Sequence, residues 1–409
     1  MDRRAWAQDV PLLGIPATGI GSMPGEDMAE SLRLVLGELP DLPFLPELPA
    51  RGAGSALLGR SAGMLVHLPV ELRPAGWTLV ERPSPEGERA RSRLSADLDL
   101  LEEYTQGFRG AFKVAVCGPL TLAAGLERPR GPRALGDPGA RKELAESLAE
   151  GLAQHIAAVR RRIPGASLIV QLDEPSLPAA LRGSIPTPSG MGRLPAIEEQ
   201  EAQAILGQLT AVIRAAGAAP VIHCCASGAP IALFRKVGAA GIAVDLATIG
   251  RREDDELAES VEAGLVLFLG VIPTEPGPLD SMIAGFGDPG GPAPAESSSP
   301  APRTPVSSSR GTSLRAGGAA GFSVAGGQGR PGPRQLRPVS VADAQLEPVM
   351  LADLVRARWR RWGFDVEKLG GHVVLTPACG LAGATPTRTR AVFEALREAT
   401  RMLSVAPEG

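Results

Sequence analysis

Apolar runs and helical stripes alternate along most of the chain. Strand-like runs fall at 17–23, 42–48, 112–117, 167–172, 219–223, 241–246, 264–271 and 372–376. They are nearly continuous and rich in Leu, Val and Ile, as strands covered on both faces are. Between them, apolar spacing predicts helices over 27–38, 141–162, 197–216, 230–237, 254–263, 347–362 and 388–403. The clearest is 141–162, where Leu144, Leu148, Leu152, Ile156 and Val159 recur at helical spacing and Pro164-Gly165 stops the pattern.

Eight alternating units predict an α/β protein, a (β/α)8 TIM barrel, with a doubly wound open sheet as the rival. Polar residues favour the barrel. Most strand candidates end in a chemically loaded tail: Gly21-Ser22, Glu47, Cys117-Gly118-Pro119, Asp173-Glu174-Pro175, His223-Cys224-Cys225, Asp245 and Cys379-Gly380. A closed barrel gathers those ends on one face, where barrel enzymes keep their active sites. An open sheet leaves the outer tails far apart.

One stretch breaks the pattern. Residues 285–342 are Gly, Pro, Ser and Ala with six scattered Arg and almost no acid, a composition that buries too little apolar surface to offset its ordering entropy. The expected organisation is one catalytic barrel, 1–284 with 343–409, and a disordered insertion at 285–342 after the seventh strand.

The overall composition is ordinary, 44% apolar with a net charge of −3, and gives no electrostatic reason to expect nucleic acid or a membrane as partner. No run approaches the roughly 20 apolar residues of a membrane span. The first residues lack an apolar signal region and carry Pro11 and Pro16. A cytoplasmic location is the expectation, and Cys117, Cys224, Cys225 and Cys379 are not counted as disulfides.

Two of those cysteines adjoin a histidine. In an extended chain His223 and Cys225 face one side and Cys224 the other, so the strand end presents an imidazole and a thiolate to one point. These are zinc's preferred donors. A barrel brings Cys379, after the last strand, to the same mouth, and Asp245 ends the next strand with a carboxylate. The bland reading is two small buried cysteines beside a satisfied core histidine.

Four ordered motifs, Thr18-Gly19-Ile20-Gly21-Ser22-Met23-Pro24, Gln171-Leu172-Asp173-Glu174-Pro175, His223-Cys224-Cys225 and Thr376-Pro377-Ala378-Cys379-Gly380-Leu381, resemble the catalytic barrel of the cobalamin-independent methionine synthase family. The resemblance runs from about 17 to 403, without the insertion. It implies Zn2+ on His223, Cys225, Cys379 and a carboxylate near Asp245, where the family usually has Glu. It also implies homocysteine as substrate, its carboxylate at Ser22 and its ammonium at Glu47 and Asp173. A metal-bound thiol is deprotonated and nucleophilic, so the expected product is methionine.

The methyl donor is less determined. The family's Asp-x-His-Ser segment corresponds to Pro273-Thr274-Glu275-Pro276, which has no His. That favours a methyl-corrinoid, whose cobalt leaves without a proton, or else 5-methyltetrahydrofolate with Glu275 as substitute acid. Other readings are a corrinoid-to-thiol methyltransferase with a different thiol, a decarboxylase of the uroporphyrinogen type, and a non-catalytic zinc-binding scaffold. His67 and His155 read as structural or surface residues, His372 as solvent-facing, Cys117 as a small core residue, and Glu174 as turned away from the mouth.

Overall fold

A computed structural model describes residues 12, 14–187, 189–274 and 346–406. The chain divides into one unit of Met1–Asp288 with Val341–Gly409 and another of Pro289–Ser340. The expected insertion at 285–342 and the candidate acid Glu275 lie outside the described residues.

A short antiparallel hairpin, β1 (Val70–Arg73) and β2 (Gly76–Leu79), precedes the main sheet. That sheet is α/β in kind: β3 (Gly110–Cys117), β4 (Ala166–Asp173), β5 (Ala219–Cys224), β6 (Gly241–Asp245), β7 (Val266–Ile272) and β8 (Val373–Pro377), side by side in sequence order and all parallel. Helices connect them, as parallel pairing demands. Among the described helices, none is long and apolar enough to cross a membrane.

The sheet is curled, and its two faces bury different things. Ala111, Ile169, Val221, Ala243, Phe268 and Val374 alternate onto the inner face as a small separate cluster. The outer face carries Phe112, Val114, Leu168, Ile222 and Leu267 into a much larger core shared with the helices. Period-two alternation thus gives every strand two apolar faces.

The first two expected strands are not regular strands. Ala17 bridges Leu375, Ser22 bridges Glu47 and Phe44 bridges Lys113. Hydrogen bonds from Thr18 N to Leu375 O, Met23 N to Glu47 O and Leu45 N to Lys113 O run beside those bridges. Pro16, Pro24, Pro43 and Pro46 explain the difference, because a proline nitrogen donates nothing to a ladder.

Helices occupy the expected places, including Met28–Glu38, Pro138–Arg162, Glu199–Ala215, Pro348–Arg361 and Pro386–Val405. Asp137 and Thr385 cap two of them through side-chain bonds to Ala140 N and Arg388 N. One long helix, Pro85–Tyr104, was not expected. Ser84 caps it, and it buries Ala90, Leu94, Asp97, Leu98 and Leu101, a stripe in which an aspartate interrupts the apolar signal.

Candidate metal centre

Parallel register sets the row. Cys117 pairs with Asp173 and Asp173 with His223 across β3, β4 and β5, so the ends of these strands stand level. Alternation then sorts the side chains at the end of β5. Cys224 points outward and is fully buried; burial pushes its thiol up to about 12. His223 and Cys225 share the other side and meet Cys379, just past β8.

The Sγ atoms of Cys225 and Cys379 lie 3.4 Å apart, too far for a disulfide bond near 2.05 Å. Two sulfurs held by one tetrahedral ion at about 2.3 Å each would be about 3.8 Å apart, so the spacing suits a shared metal. Together with a nitrogen of His223, the three donor atoms lie within 4.8 Å of one another. His223 Nδ1 is 2.7 Å from Asp173 Oδ1, while its buried Nε2 meets no hydrogen-bond partner among the described residues. A proton on Nδ1 satisfies the carboxylate and leaves the Nε2 lone pair without a hydrogen-bond partner among the described residues. Such a carboxylate–histidine pair is the usual support of a metal ligand.

Charge agrees with that arrangement. Cys379 is lowered to about 7, chiefly by the hydrogen bond it accepts from the Cys225 thiol, although burial opposes the shift. Cys225 is correspondingly raised, by the same hydrogen bond and by burial. Burial would lower His223, but the hydrogen bond and charge of Asp173 outweigh it and raise the imidazole.

Apart from Glu275, which lies outside the described residues, the other expected site residues fall around this cluster. Asp245 ends β6, but its Oδ1 accepts from Ala247 N and caps the turn Leu246–Thr248. It is not one of the three clustered donors. Ser22 Oγ lies against Gly380, where a Cβ would collide with it, and Ser22 O accepts from Leu381 N at 2.8 Å. The first and last sequence motifs are therefore locked together. Glu47 is buried, 3.3 Å from Arg60 Nε. Asp173 faces the cluster, and its neighbour Glu174 turns outward to accept from Leu120 N, Thr121 N and Thr121 Oγ1. Burial raises Glu174 to about 7 against those three donors.

Three participants were not picked out from the sequence: Arg60, Gln171 as a side chain, and Lys113. A lysine inside the apolar run Phe112-Lys113-Val114 was the available signal, because a fully buried ammonium needs partners. His372, expected to face solvent, is half-buried, with its ring 6.3 Å from that of Trp359.

No protein-family model and no curated protein matches the chain. Among solved structures, the fold is similar to a B12-independent methionine synthase from a Shewanella species, solved in complex with selenomethionine. The TM-score is 0.50 at 13% identity, covering 95% of this chain and 98% of that one. A glycoside hydrolase from Streptomyces cattleya in complex with GlcNAc follows, with a TM-score of 0.40 at 12% identity over 96% of this chain and 82% of that one. The first likeness defines the class of fold, a TIM-barrel-like α/β architecture; at these identities it speaks for the fold alone.

Proposed function

We propose that this chain is a zinc-dependent methyltransferase that makes methionine from homocysteine on a (β/α)8 barrel, with the bridged, irregular segments 17–23 and 42–48 standing in the places of its first two strands. The observation that carries the reading is the convergence of a His223 nitrogen with the thiols of Cys225 and Cys379, while the buried His223 Nε2 has no hydrogen-bond partner among the described residues. Two soft sulfurs and an imidazole suit zinc above magnesium or calcium. When bound, zinc supplies the charge that ionises an incoming thiol at neutral pH. Asp245 or the substrate sulfur completes the set.

The chain's own groups fit an amino-acid substrate around that point. Glu47 and Asp173 offer carboxylates to an ammonium, and Ser22 offers a hydroxyl to the carboxylate. Asp173 Oδ1 is committed to His223 and Gln171, and Oδ2 is the oxygen left for substrate. Arg60 and the backbone around Gly21 hold Glu47 in place. In the reaction the thiolate forms an S–CH3 bond while the methyl's bond to nitrogen or cobalt breaks. The donor is 5-methyltetrahydrofolate or a methyl-corrinoid, and in the folate case Glu275 is the acid for the leaving nitrogen. The neighbour's bound selenomethionine, the selenium analogue of methionine, supports a methionine-type product.

The test is methionine formation from homocysteine by zinc-loaded protein, with methylcobalamin and 5-methyltetrahydrofolate assayed in parallel. Product with either donor, and none without zinc, is the expected result. Zinc-loaded protein inert with both sinks the methyl-transfer reading.

A further inference from the structure

Lys113 is one of only four lysines in the chain, and it has no exposure to solvent. It stands on the inner face of β3, below the metal-facing residues. Its Nζ donates to Ile20 O at 2.7 Å and to Gln171 Oε1 at 2.8 Å. Its charge also faces the carboxylates of Asp173 and Glu47. An ammonium only donates, so the Gln171 atom turned towards it must be the oxygen. That settles the amide's orientation. The Gln171 NH2 then faces the other way, donating to Asp173 Oδ1 at 2.7 Å and to Ile20 O at 3.0 Å. Asp173 Oδ1 is in turn 2.7 Å from His223 Nδ1. Four side chains on β3, β4 and β5 therefore form one hydrogen-bond line between a buried ammonium and an imidazole, with Asp173 Oδ1 accepting from both Gln171 and His223.

We propose that Lys113 is a positioning residue for the metal centre: through Gln171 and Asp173 it holds His223 in the tautomer that offers Nε2. This rests on the metal-binding reading above. The physical reason is directional. Without Lys113 the Gln171 oxygen loses its donor, and the amide is held from its NH2 end alone, free to shift against Asp173 Oδ1. With Lys113 both ends of the amide are fixed, and turning it over would set NH2 against an ammonium and oxygen against an anion. Groups behind a metal ligand commonly change metal affinity by 10–100-fold, and one two links further back should sit at the lower end.

The test uses the full chain and reads the imidazole directly. Long-range 1H–15N NMR on zinc-free protein reports the tautomer of each of four histidines, with the His223→Gln variant identifying the signal. The wild type is expected to show His223 with Nδ1 protonated. Lys113→Met is expected to give a mixture of tautomers and about a tenfold weaker zinc affinity by chelator competition. Gln171→Glu keeps an acceptor for Lys113 but has no N–H for Asp173, and it should lose the fixed tautomer in the same way. It decides the matter if Lys113→Met does not fold. A single Nδ1–H tautomer in the folded variants, with zinc affinity within twofold of wild type, overturns the proposal. Wild-type protein that binds no zinc, but whose His223 tautomer still follows Lys113 and Gln171, overturns the metal reading and leaves the positioning line standing.

Discussion

His223 and His155 are both buried, and each has an Nε2 with no hydrogen-bond partner among the described residues. Their surroundings differ in charge. Asp173 holds Nδ1 of His223, two thiols stand opposite, and the imidazole is raised. His155 lies on the helix Pro138–Arg162, where burial and then the positive charges of Arg60 and Arg162 push it down to about 3. An orphan nitrogen among cations stays a neutral piece of core. The same orphan beside a carboxylate and soft donors is a ligand in waiting. The unpaired atom alone would have marked both histidines equally; the sign of the local charge separates them.

That contrast can be broken most sharply at the sulfurs. Cys379→Ser should release bound zinc on dialysis and lower methionine formation by about a thousandfold or more, whereas His155→Gln should keep the wild-type zinc content. Zinc measured by elemental analysis checks both, and equal loss in the two variants would erase the distinction. A smaller effect is expected from Asp173→Asn, which keeps the shape but no longer fixes the proton on His223. Zinc affinity should fall about 10–100-fold by chelator competition. An affinity unchanged within twofold would remove Asp173 from the support of the ligand.

The third consequence concerns acid stability. His155 has a folded value near 3 and an unfolded value near 6.5, so its contribution is complete above about pH 6.5. It is lost as pH falls towards 3, because only the unfolded chain takes up the proton in that window. The gap corresponds to a few kcal/mol at most, of order 1.4 kcal/mol per pH unit. His155→Gln should flatten the fall in melting temperature between pH 6.5 and 4. Parallel curves for variant and wild type would contradict the assigned cause.

The strands from β3 to β8 were legible because each is a short apolar run bounded by turn residues, and the His-x-Cys pair was legible because alternation alone places both side chains together. The first two runs are apolar enough to read as strands, but Pro16 and Pro24 flank one and Pro43 and Pro46 lie inside the other, and each removes a ladder donor. The hairpin Val70–Leu79 was too short, and the helix Pro85–Tyr104 too charged, to stand out. At the site, Asp245 illustrates the limit. Its place as a strand-end carboxylate was legible, whereas its second role, capping the following turn by accepting from Ala247 N at Oδ1, was not. Arg60 and Lys113 escaped notice because their meaning lies in partners that are distant in sequence.

The interlock of Ser22 with Gly380 and Leu381 has a bearing on the order in which the molecule comes together. Cys225 and Cys379 are separated by 154 positions, and the Gly-Ser turn meets the Cys-Gly turn from opposite ends of the chain. Contacts so remote in sequence are slow to form and form late. During synthesis His223 and Cys225 emerge well before their third companion, so the donor set is incomplete until the final strand has docked. Ligand assembly is thereby a report on completed folding: a chain that captures metal tightly at this point has already brought its Gly21-Ser22 turn against its Cys379-Gly380 turn.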